Sequence, residues 1–121
     1  MKAVELAFTV NPVTDLRRAR DFYENTLGLK SGMVYEGKGM SWVEYEVGSG
    51  VLAIGSGAEQ FRPSADGGSV ALEVEDFEAA IAELKASGCA FLIEPVKTAV
   101  CRMAVILDPD GNTIIIHKRN A

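Results

Sequence analysis

The chain has a single histidine, His117, and only two cysteines, Cys89 and Cys101, among its 121 residues. A catalytic thiol needs a nearby base that keeps it ionised. With one histidine in the whole chain, a catalytic role for either cysteine is not expected. Two cysteines instead fit a reducing compartment, in which they behave as small apolar side chains.

Long apolar runs are also absent. The longest runs, such as Ile114–Ile116, fall far short of the ~20 residues that a helix needs to span a bilayer, so no membrane partner is expected. The first residues, Met1–Glu5, contain no apolar signal-peptide core. The expected location is therefore the cytoplasm.

Positive charge is in the minority. The 12 Lys and Arg residues stand against 17 Asp and Glu residues, for a formal net charge of -5 and a pI of about 4.8. This balance argues against nucleic acid or an anionic membrane surface as a partner. Hydrophobic residues make up 48% and charged residues 24%, which is the composition of a globular protein with one ordinary domain.

The chain does contain a strong turn signal near its end. A Pro-Asp-Gly-Asn turn at residues 109–112 separates two apolar runs, Val105–Leu107 and Ile114–Ile116. Pro presets φ at the first turn position, while Gly and Asn tolerate positive φ, so a β-hairpin is predicted. Because side chains alternate along a strand, His117 lies on the same face as Ile115.

The predicted order of elements occurs twice along the chain. In the first half, one strand, one helix and three further strands are predicted at Val4–Val10, Leu16–Leu27, Leu29–Tyr35, Ser41–Val47 and Val51–Ile54. In the second half, the same order is predicted at Ser69–Val74, Asp76 to about Ser87, Ala90–Ile93, Val100–Leu107 and Thr113–Lys118.

The two halves are copies of one β-α-β-β-β unit. The predicted helix cap of the first half is Thr14 or Asp15, and Asp76 follows Asp15 after 61 residues, which is half of the chain. The predicted modules cover about residues 1–58 and 69–121, with a polar linker at about 59–68. Two such units can leave one sheet face concave, and ligand sites are usually concave and largely apolar.

Two segments resemble the signatures of the vicinal oxygen chelate superfamily, the group of glyoxalase I, extradiol dioxygenases and bleomycin-resistance proteins. They are Val13–Leu29, which covers the first helix, and Asp108–Asn112, which covers the last turn. The resemblance implies an α+β fold over residues 1–121, with two tandem βαβββ modules forming a curved, half-open barrel-like sheet and the helices outside. It also implies a homodimer, since the family commonly dimerises.

Enzymes of this superfamily bind a divalent metal in the concave face, and the resemblance implies four ligand positions. In this chain they fall on Phe8, Ser69, Ile115, and Ile54 or, with a one-residue slip, Ala53. Zinc prefers His, Cys or carboxylate ligands, and hard cations prefer oxygens. None of these residues holds a metal in the usual way, so the expected cofactor is none. The alternative is a divalent ion such as Zn, Ni, Mn or Fe held by relocated ligands.

Further side chains are candidates for the cavity. Trp42 either lines the pocket or belongs to the core or a dimer interface. Arg102 either pairs with a carboxylate of a ligand or lies on an outer face. His117 is a candidate acid/base group or a solvated residue at a strand end, and Glu73 shares a face with Ser69. With the four ligand positions, the predicted cavity is Phe8, Trp42, Ile54, Ser69, Glu73, Arg102, Ile115 and His117.

Two functions of different classes follow from these positions. The first is a metal-free binder of a small apolar or amphipathic molecule in the concave cavity, similar to the bleomycin-resistance proteins. The second is a metal-dependent or acid/base enzyme of the superfamily, such as a lyase, isomerase or dioxygenase. That enzyme would use His117 with Glu5 or Glu73. The four residues at the ligand positions, which are apolar or, like Ser69, poor ligands, favour the binder.

Overall fold

The structure is a computed structural model that describes every residue from Met1 to Ala121. The chain divides into two compact units, Met1–Pro63 and Ser64–Ala121, which we call the first and second unit. The first unit contains β1 (Thr9–Pro12), α1 (Leu16–Asp21), which continues as a π-helical turn (Phe22–Thr26), β2 (Ser31–Gly37), β3 (Met40–Val47) and β4 (Gly50–Ser56). The second unit contains β5 (Val70–Glu73), α2 (Phe77–Ser87), β6 (Phe91–Lys97), β7 (Cys101–Leu107) and β8 (Thr113–Arg119).

The α+β class and the doubled β-α-β-β-β order are confirmed. The strand order is β1-β4-β3-β2 in one sheet and β5-β8-β7-β6 in the other. In each sheet the first strand runs parallel to the last strand, and the remaining pairs are antiparallel. The two units therefore share one topology. Neither helix is long and apolar enough to cross a membrane.

Both helices begin at aspartates: the second at Asp76, as predicted, and the first at Asp15, one of the two residues predicted for its cap. The Asp15 carboxylate accepts a hydrogen bond from the Arg18 N–H at 3.1 Å, and the Asp76 carboxylate accepts one from the Ala79 N–H at 3.0 Å. Each cap satisfies one of the four N–H groups that a helix leaves open at its start. The first helix then widens into a π-helical turn. The Leu27 N–H donates to the carbonyl of Phe22, five residues earlier, whereas an α-helix uses the carbonyl four residues earlier.

The first predicted strand is shorter than its apolar pattern suggests. It was predicted over Val4–Val10, but β1 begins at Thr9, and residues 1–8 are exposed and belong to no strand or helix. Thr9 pairs with Leu52 of β4, and β4 itself starts only two residues earlier, at Gly50. In this parallel register Gly50 would lie opposite Ala7, so the residues before Ala7 have no partner in β4, whatever their β-propensity.

In the first unit, α1 and the π-helical turn cover one sheet face. The Tyr23 ring stacks on the Tyr45 ring with centroids 5.9 Å apart, and Tyr45 is fully buried. The Tyr45 hydroxyl donates to the Glu24 carboxylate at 2.9 Å. Burial and this bond raise the pKa of Tyr45, while the hydrogen bond from Arg20 lowers the pKa of Glu24.

In the second unit, the covered face presents the alternate residues of β7 and β8. Ala104, Ile106, Ile114 and Ile116 are almost fully buried there, together with Phe77 and Leu84 of α2. The turn that joins β7 to β8 is closed by Asp108, whose side chain accepts from the Asp110 N–H and the Asn112 N–H, both at 2.9 Å. Gly111 adopts a φ of 88°, as the turn prediction requires.

Candidate functional site

The two units have the same register between their first and last strands. Pro12 of β1 pairs with Gly55 of β4, and Glu73 of β5 pairs with His117 of β8. One residue later, the Val13 N–H donates to the Gly55 carbonyl at 2.8 Å, and the Val74 N–H donates to the His117 carbonyl at 2.9 Å. Gly55 is therefore the equivalent of His117, and Pro12 is the equivalent of Glu73.

This register decides between Ile54 and Ala53. Counting back two residues from Gly55 and from His117 makes Ala53 the equivalent of Ile115. Ile54 pairs with Val43 on the face that the helix covers and is fully buried there, whereas Ala53 lies on the opposite face. A shift of one residue along a strand moves a side chain to the other face of the sheet, so a one-residue slip in an alignment changes the predicted site.

An apolar pocket lies in the first unit, on the sheet side that carries Trp42 and Gly55. Its volume is about 280 Å³, and it is lined by Phe8, Val10, Pro12, Met40, Ser41, Trp42, Gly55, Ser56, Ala58 and Phe61. The Phe8 ring meets the Trp42 ring edge-on, with centroids 5.1 Å apart. The indole N–H of Trp42 donates to the Glu44 carboxylate at 2.9 Å, which holds the ring in place.

Gly55 makes room for the indole of Trp42. A Cβ atom at position 55 would lie 2.9 Å from Cε3 of Trp42, closer than carbon atoms approach in proteins. Sequence reasoning did not place Pro12 or Gly55 in the site. The internal repeat contained the signal, because aligning the two units on their first and last strands puts Gly55 at the position of His117.

A wider and shallower depression adjoins the pocket and shares five of its residues. Its volume is about 830 Å³, and its additional lining includes Val13, Thr14, Glu59, Arg62 and Pro63. The hydroxyl groups of Ser41 and Ser56, which belong to both cavities, form a hydrogen bond with each other. The pocket thus continues into a surface with charged and polar side chains.

In the second unit, the exposed sheet face brings four predicted site residues together. Glu73, Ile115 and His117 lie on this face of β5 and β8. Ser69 immediately precedes β5, and its hydroxyl donates to the Thr113 carbonyl at 3.1 Å. Arg102 is not part of this group, because it forms an ion pair with Glu78 and lies over the Phe77 ring on the side covered by α2.

His117 and Glu73 form the one histidine–carboxylate contact in the chain. Nδ1 of His117 lies 2.6 Å from Oε1 of Glu73, and the backbone N–H of Arg119 donates to Oε2 of Glu73 at 2.8 Å. The Arg119 bond, and after it the His117 bond, lower the pKa of the Glu73 carboxyl. Glu5, the other carboxylate considered for this role, lies in the exposed segment before β1.

The residues at the four implied ligand positions do not fit a metal ion. Phe8, Ala53 and Ile115 carry no donor atom, and the hydroxyl of Ser69 is bonded to the Thr113 carbonyl. Elsewhere, no three His, Cys, Asp or Glu side chains are grouped in a way that could hold a metal ion. His117 and Glu73 alone supply two ligands, fewer than the sites of zinc enzymes use.

The doubled unit and its open sheet faces define a class of small proteins built from paired β-α-β-β-β modules. The chain belongs to the Glyoxalase/Bleomycin resistance protein/Dioxygenase superfamily, whose family model matches residues 6–116. This confirms the resemblance found in the sequence. A search of curated proteins gave no significant match.

Solved structures agree with this assignment. TnmS3, an antibiotic-binding protein from Streptomyces sp. CB03234, is 26% identical, with a TM-score of 0.84 and 99% of each chain covered. A glyoxalase/bleomycin resistance protein from the same organism is 28% identical, with a TM-score of 0.77, covering 93% of this chain and 98% of that one. The trypanothione-dependent glyoxalase I of Leishmania major shares the fold at 23% identity and a TM-score of 0.78, covering 96% and 87%.

Proposed function

We propose that this protein binds a small apolar or amphipathic molecule in the pocket of the first unit, without the help of a metal ion. The pocket itself is the observation that carries the proposal. Three aromatic side chains, Phe8, Trp42 and Phe61, line it. Its polar side chains are few, and the Trp42 N–H is already bonded to Glu44. Aromatic walls with few polar groups are typical of small-molecule sites.

The dimensions of the pocket favour an amphipathic ligand. Pockets that enclose drug-sized molecules usually measure about 300–1,000 Å³. At about 280 Å³, this pocket takes one or two rings, and the rest of a larger molecule lies in the adjoining depression of about 830 Å³. That depression includes Thr14, Glu59 and Arg62, which suit the polar end of the ligand.

The comparison with TnmS3 supports a binder over an enzyme. TnmS3 is an antibiotic-binding protein, and its similarity extends over 99% of both chains. The apolar residues at the metal-ligand positions agree with this, because they leave the chemistry of the metal-dependent enzymes without its ligands. The homodimer and the cytoplasmic location stay predictions.

Trp42 provides a direct test, because it is the only tryptophan of the chain and lines the pocket. We expect 8-anilinonaphthalene-1-sulfonate, which has a fused-ring body and a charged end, to quench Trp42 emission as it binds. The antibiotic that TnmS3 binds is the second probe. Phe61→Ala removes an exposed pocket wall without disturbing the core, and should weaken binding about tenfold, the loss of ~1.4 kcal/mol of aromatic contact.

The matched control is Met33→Ala. Met33 is an exposed apolar residue of the same unit and does not line the pocket, so its loss should leave the affinity unchanged. Equal losses of affinity in Phe61→Ala and Met33→Ala, or no quenching of Trp42 emission by either probe, would contradict the proposal. Circular dichroism of each variant verifies that the fold is retained.

Metal content is the second measurement. We expect inductively coupled plasma mass spectrometry of the untagged protein to find less than about 0.1 metal ion per chain after incubation with Zn, Ni, Mn and Fe(II). The reason is that a stable site needs three or four converging ligands, and the chain groups only two. One bound ion per chain, retained after dialysis, would overturn the proposal that the protein works without a metal ion.

The second candidate function is an acid/base enzyme, and the contact between His117 and Glu73 is the observation that favours it. A carboxylate that holds one ring nitrogen of a histidine leaves the other nitrogen oriented for proton transfer. Mass spectrometry of the antibiotic recovered after long incubation distinguishes the two functions. A binder returns it unchanged, and an enzyme returns a product.

A further inference from the structure

We infer that the pair formed by His117 and Glu73 is a second binding site, which accepts a hydrogen bond from an uncharged acidic hydroxyl group such as that of a phenol or an enol. The site lies entirely in the second unit. It goes beyond the pocket of the proposed function and does not depend on it.

The shared register of the two units is the first argument. In the first unit, Pro12, Gly55 and Trp42 lie side by side on β1, β4 and β3, and all three line the pocket. In the second unit, the same three positions on β5, β8 and β7 carry Glu73, His117 and Met103. The position that forms an apolar floor in one unit therefore carries a histidine–carboxylate pair in the other.

The geometry of the pair is the second argument. The Glu73 carboxylate is held at both oxygens, by Nδ1 of His117 at 2.6 Å and by the Arg119 N–H at 2.8 Å. A carboxylate accepts hydrogen bonds, so the proton of a neutral imidazole belongs on Nδ1. The lone pair of Nε2 then remains available, and Nε2 forms no hydrogen bond within the protein. With 26% of its side chain exposed, His117 is within reach of a ligand.

The charges around the pair select an uncharged donor. The Glu73 carboxylate adjoins the imidazole, and the nearest cation, the Arg119 guanidinium, is 3.8 Å from Glu73 and mostly exposed. An anionic ligand would meet the Glu73 charge, whereas a neutral hydroxyl would not. When a hydroxyl donates to Nε2, positive charge develops on the ring, and the carboxylate at Nδ1 stabilises it.

The surroundings of the pair suit an aromatic or enolic body. Val105 and Ile115 pair with each other on the same face as His117, and Ile115 lies two residues before His117 on β8. Met103 pairs directly with His117, and a thioether packs well against ring edges. These side chains provide apolar contact for the part of the ligand that carries the hydroxyl.

A single-histidine protein allows a clean test, because its proton NMR spectrum contains one imidazole Cε1–H resonance. The measurement is made at pH 7.5, where a phenol, with a pKa of about 10, is mostly protonated and therefore carries its O–H group. We expect 4-fluorophenol to shift the His117 resonance in a saturable way. We expect 4-fluoroanisole, which has the same ring and no O–H, to leave the resonance in place. Equal shifts from both probes, or none from either, would overturn the inference.

Two glutamate variants complete the test. Glu73→Gln removes the charge that stabilises the polarised imidazole and should weaken 4-fluorophenol binding about tenfold, read from both the His117 and the fluorine resonances. Glu78→Gln is the control, because Glu78 is a more exposed carboxylate paired with Arg102 on the side of α2. Unchanged binding in Glu73→Gln would contradict the assigned role. Trp42 emission followed in parallel reports the pocket of the first unit, so failure of one site is distinguishable from failure of the other.

Discussion

Asp108→Ala should lower the free energy of unfolding by about 3–5 kcal/mol, a large part of the 5–15 kcal/mol that stabilises a typical domain. The Asp108 side chain is 5% exposed and accepts hydrogen bonds from Asp110 and Asn112. Two come from the backbone N–H groups of Asp110 and Asn112 at 2.9 Å, and one comes from the Asn112 side chain at 2.8 Å. Alanine leaves these donors in a region that water reaches poorly, and each unsatisfied donor costs about 1–3 kcal/mol.

Asp76→Ala is the matched control for that result. Its carboxylate accepts one bond, from the Ala79 N–H at 3.0 Å, at an exposed helix start. Loss of such a cap typically costs about 1 kcal/mol. Urea denaturation followed by circular dichroism measures both variants. Similar losses for Asp108→Ala and Asp76→Ala would mean that the turn does not depend on its buried carboxylate.

Gly57→Ala should be the second very damaging substitution, with an expected loss of about 3 kcal/mol or more in the free energy of unfolding. Gly57 adopts a φ of 98°, which alanine rarely adopts. A Cβ atom there would also lie 1.8 Å from the Gly39 carbonyl oxygen, and a backbone atom cannot move away as a flexible side chain does. The β2–β3 turn and the segment after β4 would have to separate.

Gly48→Ala isolates the contribution of backbone strain. Gly48 has a φ of 60°, but open space surrounds the position of its Cβ, so only the left-handed conformation is penalised, at about 1–2 kcal/mol. Gly57→Ala should also weaken the quenching of Trp42 by 8-anilinonaphthalene-1-sulfonate, because Ala58 and Phe61 follow Gly57 into the pocket. Equal stability losses in the two variants would refute the close approach of Gly57 to Gly39.

Local signals were enough to predict most of the elements. The cap at Asp76 and the last turn with Gly111 are predicted correctly, and the first cap is narrowed to Thr14 or Asp15, because capping and turn conformations depend on neighbours a few residues away. Edge strand β6 extended further than expected, to Lys97, through Pro95. Pro95 is tolerated because β6 pairs on one side only and its register with β7 is irregular.

The candidate site was predicted less completely, because its register is a long-range property. Ile54 and Ala53 are adjacent in sequence but lie on opposite faces, and only the pairing of β1 with β4 assigns them. For Arg102, too, the sequence does not indicate which face of the sheet it lies on. Its sequence neighbours are apolar on both sides, and its contact with Phe77 and Glu78 depends on where α2 packs.

The sequence by itself determined the doubled β-α-β-β-β order, the family, and the absence of metal ligands at the expected positions, since periodicity, turn residues and residue identity are all local information. The tertiary structure decided which side chains meet. It brought Glu73 to His117 across 44 residues of chain and placed Trp42 over Gly55 in the pocket. The physical reason is that strand pairing fixes faces and distances between residues far apart in sequence, and no local preference encodes that register.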